Sequence, residues 1–151
     1  MKLWRVSKHT DLSGIGGTLA SGRWHSRGRP VVYLAEHPSL AVLEVIVNLE
    51  IDRSEHPQGF FLIEVEAPDA ISMASVSPKD LPPDWPKRQD VTRRVGDALL
   101  QQAESALIRV PSVVVSDSWN YLLNPARAEV AKVKVMRITP DPFDARLFLQ
   151  P

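Results

Sequence analysis

One glutamate stands inside an otherwise apolar run, Leu40-Ala-Val-Leu-Glu-Val-Ile-Val-Asn-Leu49, with no basic residue nearer in sequence than Arg53. An ionised carboxylate is costly in such surroundings unless something pairs with it. Glu44 therefore either faces solvent from a helix or is aimed into a polar cleft. Upstream, SGRWHSRGRPVVYLAE (residues 21–36) gathers Arg23, Arg27 and Arg29 beside Trp24, His25 and Tyr33. The planar fork of Arg23, placed after a glycine in a turn, suits a phosphate or a carboxylate, though most loop arginines are simply solvated. Tyr33 is either a core tyrosine with its hydroxyl satisfied or a ring for stacking. The stretch is thus an ordinary basic loop leading into a sheet, or a device that holds an anion and a flat ring.

Other polar residues are less specific. The backbone direction of Ser112 is set by Pro111, but the serine lacks the G-x-S-x-G context of a hydrolase nucleophile. Asn120 and Asn124, in WNYLLNP, are turn formers or amide donors to a ligand. His9, His25, His37 and His56 show no metal-ligand spacing, so no metal is expected. GIGG (14–17) lacks the strand–turn–helix context of a phosphate loop.

These residues need elements to position them. KLWRV (2–6), PVVYLA (30–35) and GFFLIEVEAP (59–68) read as strands, and so do RVPSVVVS (109–116), KVKVMRI (132–138) and FDARLFL (143–149). Pro38 suits a first helical position, and Leu40, Leu43, Ile46 and Val47 mark an apolar helical face over HPSLAVLEVIVNL. A second helix is expected from Gln89 to about Ala106, and a turn followed by a short helix over residues 118–130. Residues 7–22 form a long Gly-rich loop, of the kind that is often functional. The fold class implied is α+β, a mixed or antiparallel sheet with flanking helices, and not a doubly wound fold.

Composition restricts the function. A chain of 151 residues, 44% hydrophobic and 24% charged, is expected to be a single domain (1–151) with a substantial core. Eighteen basic residues balance eighteen acidic ones, which does not suggest a nucleic-acid or membrane partner. The balance is local, however: Lys2, Arg5, Lys8, Arg23, Arg27 and Arg29 face only Asp11 in the first 29 residues, a field that attracts a small anion. The absence of cysteine excludes disulfides and thiolate chemistry. With no signal-peptide pattern at MKLWRVSKHTDL, a cytoplasmic location is expected.

The ordered set W-R, SGRW, PVVYLA, L-A-x-L-E, VPS, NYLLNP and F-D-x-R-L, from Trp4 to Leu147, resembles the RES-domain toxins. These are the toxin half of bacterial RES–Xre toxin–antitoxin modules. The resemblance implies a fold like that of mono-ADP-ribosyltransferases and an action on NAD+ as substrate, with no resident cofactor. It assigns Arg23, Tyr33, Glu44 and Ser112 to the catalytic set, with Arg5 and Asn120 as further substrate contacts. Glu44 would stabilise the oxocarbenium-like ribose, Arg23 and Arg5 the diphosphate, Tyr33 the nicotinamide ring, and Ser112 a ribose hydroxyl or the carboxamide. The expected outcome is NAD+ depletion by a glycohydrolase or phosphorylase. A protein ADP-ribosyltransferase and a non-catalytic nucleotide- or protein-binding module are the alternatives. The implied partner is an Xre-family antitoxin that covers the cleft and makes any DNA contact, and a homodimer within that complex is admitted. Two positions depart from the family pattern: Arg127 in NPAR, where many relatives carry His, and His25, where a small polar residue is commoner.

Overall fold

The computed structural model describes residues 1–49 and 55–148. Its strands are β1 (Lys2–Ser7), β2 (Val32–Ala35), β3 (Phe61–Glu66), β4 (Met73–Ser75), β5 (Leu107–Pro111), β6 (Trp119–Leu123) and β7 (Lys134–Pro140). They form one sheet in the order β4-β5-β6-β2-β1-β3-β7. All neighbours are antiparallel except β4 and β5, so the sheet is mixed, and with its helices the fold is α+β. The helices are α1 (Ile15–Leu19), α2 (Pro38–Asn48) and α3 (Gln89–Gln102).

Alternation sorts the strand side chains into two faces. On one, Leu3, Val32, Leu34, Ile63, Val65, Leu107 and Leu123 form a buried core. The other carries two helices side by side. Helix α2 sets Leu40, Ala41, Val45 and Ile46 against Val6 and Ala35, while α3 sets Val91, Val95, Leu99 and Leu100 against Ile108, Val110 and Leu122. At the centre, β1 and β2 share one ladder pair, Trp4 with Ala35, whereas β1 and β3 pair along all of β1. The sheet is therefore weakly closed between the two helices, and a cleft opens there.

Several expectations are corrected. Residues 119–123 are a strand rather than a turn and helix: Trp119 to Leu123 pair with β5 on one side and β2 on the other, and the helical residues that follow are a 3-10 turn, Ala128–Lys132. The strand expected over 109–116 stops at Pro111, because the Ser112 hydroxyl accepts the N–H groups of Val114 and Val115 and turns the chain. The closing strand over 143–149 is absent among its described residues; Ala145–Leu147 form a 3-10 turn capped by Asp144, which also holds the Arg146 guanidinium. Helix α3 ends at Gln102 because Ala103 takes a left-handed φ of 50°. The long loop contains the short α1, and β4 was not expected at all. On α2, Leu43 and Val47 are exposed, and the stripe that meets the cleft is Ala41, Glu44, Val45 and Asn48.

Helix α3 approaches the turn before β2 so closely that a Cβ at Gly96 would lie 1.8 Å from the Trp24 carbonyl oxygen. Alanine in a helix interior normally gains about 1 kcal/mol over glycine. Here the sign reverses: Gly96→Ala is expected to lose about 1–3 kcal/mol through overpacking, seen as a lower urea midpoint. Gly16→Ala, where a Cβ meets nothing within 4 Å, should leave the midpoint unchanged or raised. Equal midpoints for Gly96→Ala and the native chain would contradict the contact.

Candidate active site

The cleft has a volume of about 700 Å³, within the range of small-molecule sites. Its floor is formed by Tyr33 and Ala35 of β2 and Asn120 of β6, one wall by α2 through Glu44, and the other by Gln89 and Arg93 of α3 with the turn bearing Arg23.

Glu44 is half-buried and does not sit on the solvent face of its helix. Its Oε1 accepts from the Ser112 hydroxyl at 2.8 Å and from Asn120 Nδ2 at 2.5 Å. Those donors are aligned by the sheet. Val110 pairs with Asn120 in the β5–β6 ladder, and the Ser112 N–H donates to the Ser118 carbonyl at 2.9 Å. Because the Ser112 oxygen already accepts two backbone N–H groups, its single proton is directed to Glu44. Ser112 thus lies behind Glu44: it does not border the cleft, and its hydroxyl donates to the carboxylate. The second carboxylate oxygen, Oε2, has no donor among the described residues and is the one available to a ligand.

At the other end, one face of α3 holds the basic turn. Thr92 Oγ1 donates to the Arg23 carbonyl at 2.6 Å, Arg93 Nε to the Gly22 carbonyl at 2.7 Å, and the Asp97 carboxylate accepts from the Ser26 N–H and hydroxyl. Asp97 also pairs with Arg29 at 3.1 Å, and Arg27 is exposed, so of the three turn arginines only Arg23 borders the cleft. Its Nη1 donates to the Pro86 carbonyl at 3.0 Å. Burial lowers the pKa of Arg23, the negative charge of Glu44 opposes that shift, and the charge of Arg93 adds to it. Arg5 also borders the cleft, tied to the Asp11 carbonyl at 2.8 Å, with its pKa lowered by burial.

His25 is buried between them. Its Nε2 lies 3.1 Å from the Gly17 carbonyl and 2.9 Å from that of Ala20, so Nε2 carries the proton. Nδ1 then accepts the Tyr33 hydroxyl at 2.8 Å, and the Tyr33 oxygen accepts the Trp24 N–H at 3.1 Å. This unusual histidine is a brace between α1, the Arg23 turn and β2, and Gly22 must lack a side chain because a Cβ there would lie 2.5 Å from the Tyr33 oxygen. The other departure, Arg127, pairs with Glu129, which in turn holds Ser72, and none of the three borders the cleft. Asn124 is fully buried and donates to the Leu100 carbonyl.

The structure therefore gathers Arg5, Arg23, Tyr33, Glu44 and Asn120 around one cleft, with Ser112 directly behind Glu44. Arg93 and Asp97 are absent from the sequence-based set. The signal available for them is helical spacing: Thr92, Arg93, Gly96 and Asp97 share a face of α3, but nothing in the chain says what that face meets. No group of three or more potential metal ligands occurs among the described residues, and none of their helices is long and apolar enough to cross a membrane.

Residues 2–144 match the RES domain. The chain is 44% identical over 150 residues to Toxin Res of Pseudomonas putida, covering 98% of this chain and all of that one. It is 32% identical over 154 residues to the Prs ADP-ribosylating toxin of a Sphingobium species, covering 95% and 94% of the two chains. Its fold is similar to a chain of the M. tuberculosis MbcT–MbcA toxin–antitoxin complex, with a TM-score of 0.74 at 17% identity over 97% of this chain and 86% of that one.

Burial raises the Tyr33 pKa well above the ordinary tyrosine value, against the opposing Trp24 N–H and the charges of Arg93 and Arg23. In the unfolded chain Tyr33 ionises near pH ~10, where the folded chain keeps its proton. The unfolded state then binds fewer protons, so this residue makes stability fall by about 1.4 kcal/mol per pH unit above that value. Tyr33→Phe is expected to show a shallower alkaline decline by about that slope, while losing about 1–3 kcal/mol at neutral pH because His25 Nδ1 is left unpaired. Denaturant titrations of both proteins across alkaline pH check this; parallel declines would show that Tyr33 ionises normally in the fold.

Proposed function

The chain belongs to the RES-domain family, and from that premise we propose that it is the toxin of a toxin–antitoxin pair and acts by cleaving the nicotinamide–ribose bond of NAD+. The observation that carries this reading is Glu44: a carboxylate held on one oxygen by Ser112 and Asn120, with the other oxygen free for a ligand, across a cleft from Arg23. Cleavage sends the bonding pair to the nicotinamide nitrogen, which becomes neutral, and positive charge develops on the ribose C1 and ring oxygen. A fixed carboxylate stabilises that charge without reorganising, and Oε2 can also accept a ribose hydroxyl. Arg23 and Arg5, which both border the cleft, would meet the diphosphate, and the Tyr33 ring, on the same lining, would stack with the cationic nicotinamide.

The acceptor completes the reaction. Water yields ADP-ribose and phosphate yields its 1-phosphate, each losing a proton as the new bond forms at C1. The relative named as an ADP-ribosylating toxin supports a second reading, in which a protein side chain is the acceptor. Either reaction in a free toxin would be harmful to its host, and the proposed partner is a cognate antitoxin of the Xre family that covers the cleft.

Purified protein is expected to consume NAD+. Glu44→Gln, which keeps the size but not the charge, should lower kcat by about a hundredfold or more with little change in KM. Ser112→Ala should lower kcat by a smaller factor, since Asn120 still holds the carboxylate. Chromatography of the products with and without phosphate identifies the acceptor. Consumption that is unchanged in Glu44→Gln would refute the assignment of Glu44, and label transferred from NAD+ to lysate protein without free ADP-ribose would favour the second reading.

A further inference from the structure

We propose that Arg93, on α3, supplies the second guanidinium of a two-arginine clamp for the diphosphate, working with Arg23 across the Gly22–Arg23 turn. This rests on the NAD+ reading above and specifies which residue completes its phosphate site. Both side chains border the cleft, and Arg93 Nε is anchored on the Gly22 carbonyl at 2.7 Å while Nη2 donates to Gln89 Oε1 at 3.0 Å. That leaves Nη1 of Arg93, and Nε and Nη2 of Arg23, without a protein acceptor among the described residues.

Ion pairing and position together distinguish the arginines of the cleft from the others. Arg29, Arg88, Arg127, Arg137 and Arg146 each lie within 4 Å of a carboxylate. Arg5, Arg23, Arg27, Arg93, Arg94 and Arg109 have no such partner among the described residues, and of these only Arg5, Arg23 and Arg93 border the cleft. The charge of Arg93 acts on Arg23, and both act on Tyr33. Holding two like charges together in a half-buried cleft costs free energy that an anion with two phosphate groups recovers. Arg5 also borders the cleft, but it sits on β1 rather than beside the Gly22–Arg23 turn, and it forms no part of this pair. The clamp also explains the spacing along α3, where Thr92 and Asp97 fix the turn on either side of Arg93.

Arg93→Gln separates the charge from the brace, because glutamine Nε2 stands the same number of bonds from the backbone as arginine Nε and can still donate to the Gly22 carbonyl. The full-length variant is expected to keep its melting temperature and a near-native kcat, while KM for NAD+ rises about ten- to a hundredfold. Calorimetry with inorganic pyrophosphate and orthophosphate gives an independent readout: the native protein should bind pyrophosphate more tightly, and Arg93→Gln should lose that preference. Native KM and native pyrophosphate affinity in Arg93→Gln would overturn the clamp. A fall in stability and kcat with KM and pyrophosphate binding unmoved would also overturn it, leaving Arg93 as a brace alone. If the native protein consumed no NAD+, the functional reading would fail, and the pyrophosphate comparison would still decide the clamp.

Discussion

A single carboxylate on an otherwise apolar helix sets the terms for the centre of this structure. Glu44 cannot lie in the cleft unless donors meet it there, and both donors come from far along the chain, 68 and 76 residues on. Asn120 is delivered by the register of β6 between β5 and β2, and Ser112 by the sharp end of β5, where its oxygen is saturated by two backbone N–H groups and its proton has one place to go. A one-residue slip in that ladder would move Asn120 to the opposite face of the sheet. The precision of the site is therefore the precision of the β5–β6–β2 pairing.

The cationic side is built on a different principle. Its turn has no regular structure of its own, and α3 supplies the missing partners through Thr92, Arg93 and Asp97, with Gly96 allowing the backbones to touch. His25 then links this turn to α1 and to Tyr33. Glu44 is thus held by α2 with Ser112 and Asn120, and Arg23 by its turn and α3, so the carboxylate and the guanidinium are committed to different partners on one cleft.

Much of this is legible in the chain. Pro38 and the apolar spacing locate α2, alternation locates β1 and β3, and the odd Glu44 marks itself by its surroundings. Local pattern fails where long-range pairing decides: Trp119–Leu123 looks like a turn and helix until strands on both sides claim it, and Met73–Ser75 is too short to register before β5 lies beside it. It also fails where a side chain redirects the backbone, as Ser112 and Asp144 do.

By itself the sequence determined the chemical inventory: one unpaired carboxylate, a basic turn, a strand tyrosine, and no thiol or metal-ligand pattern, in an order that identifies a family. Residue types and spacing suffice for that because they are local properties. Only the tertiary structure decided which of those groups meet. It set the Ser112 hydroxyl against Glu44, sent Arg27 and Arg29 to the surface and an ion pair, and brought in Arg93 from a segment some seventy residues away. Hydrogen bonds act over about 3 Å, and which atoms come that close is settled by strand register and helix docking rather than by distance along the chain.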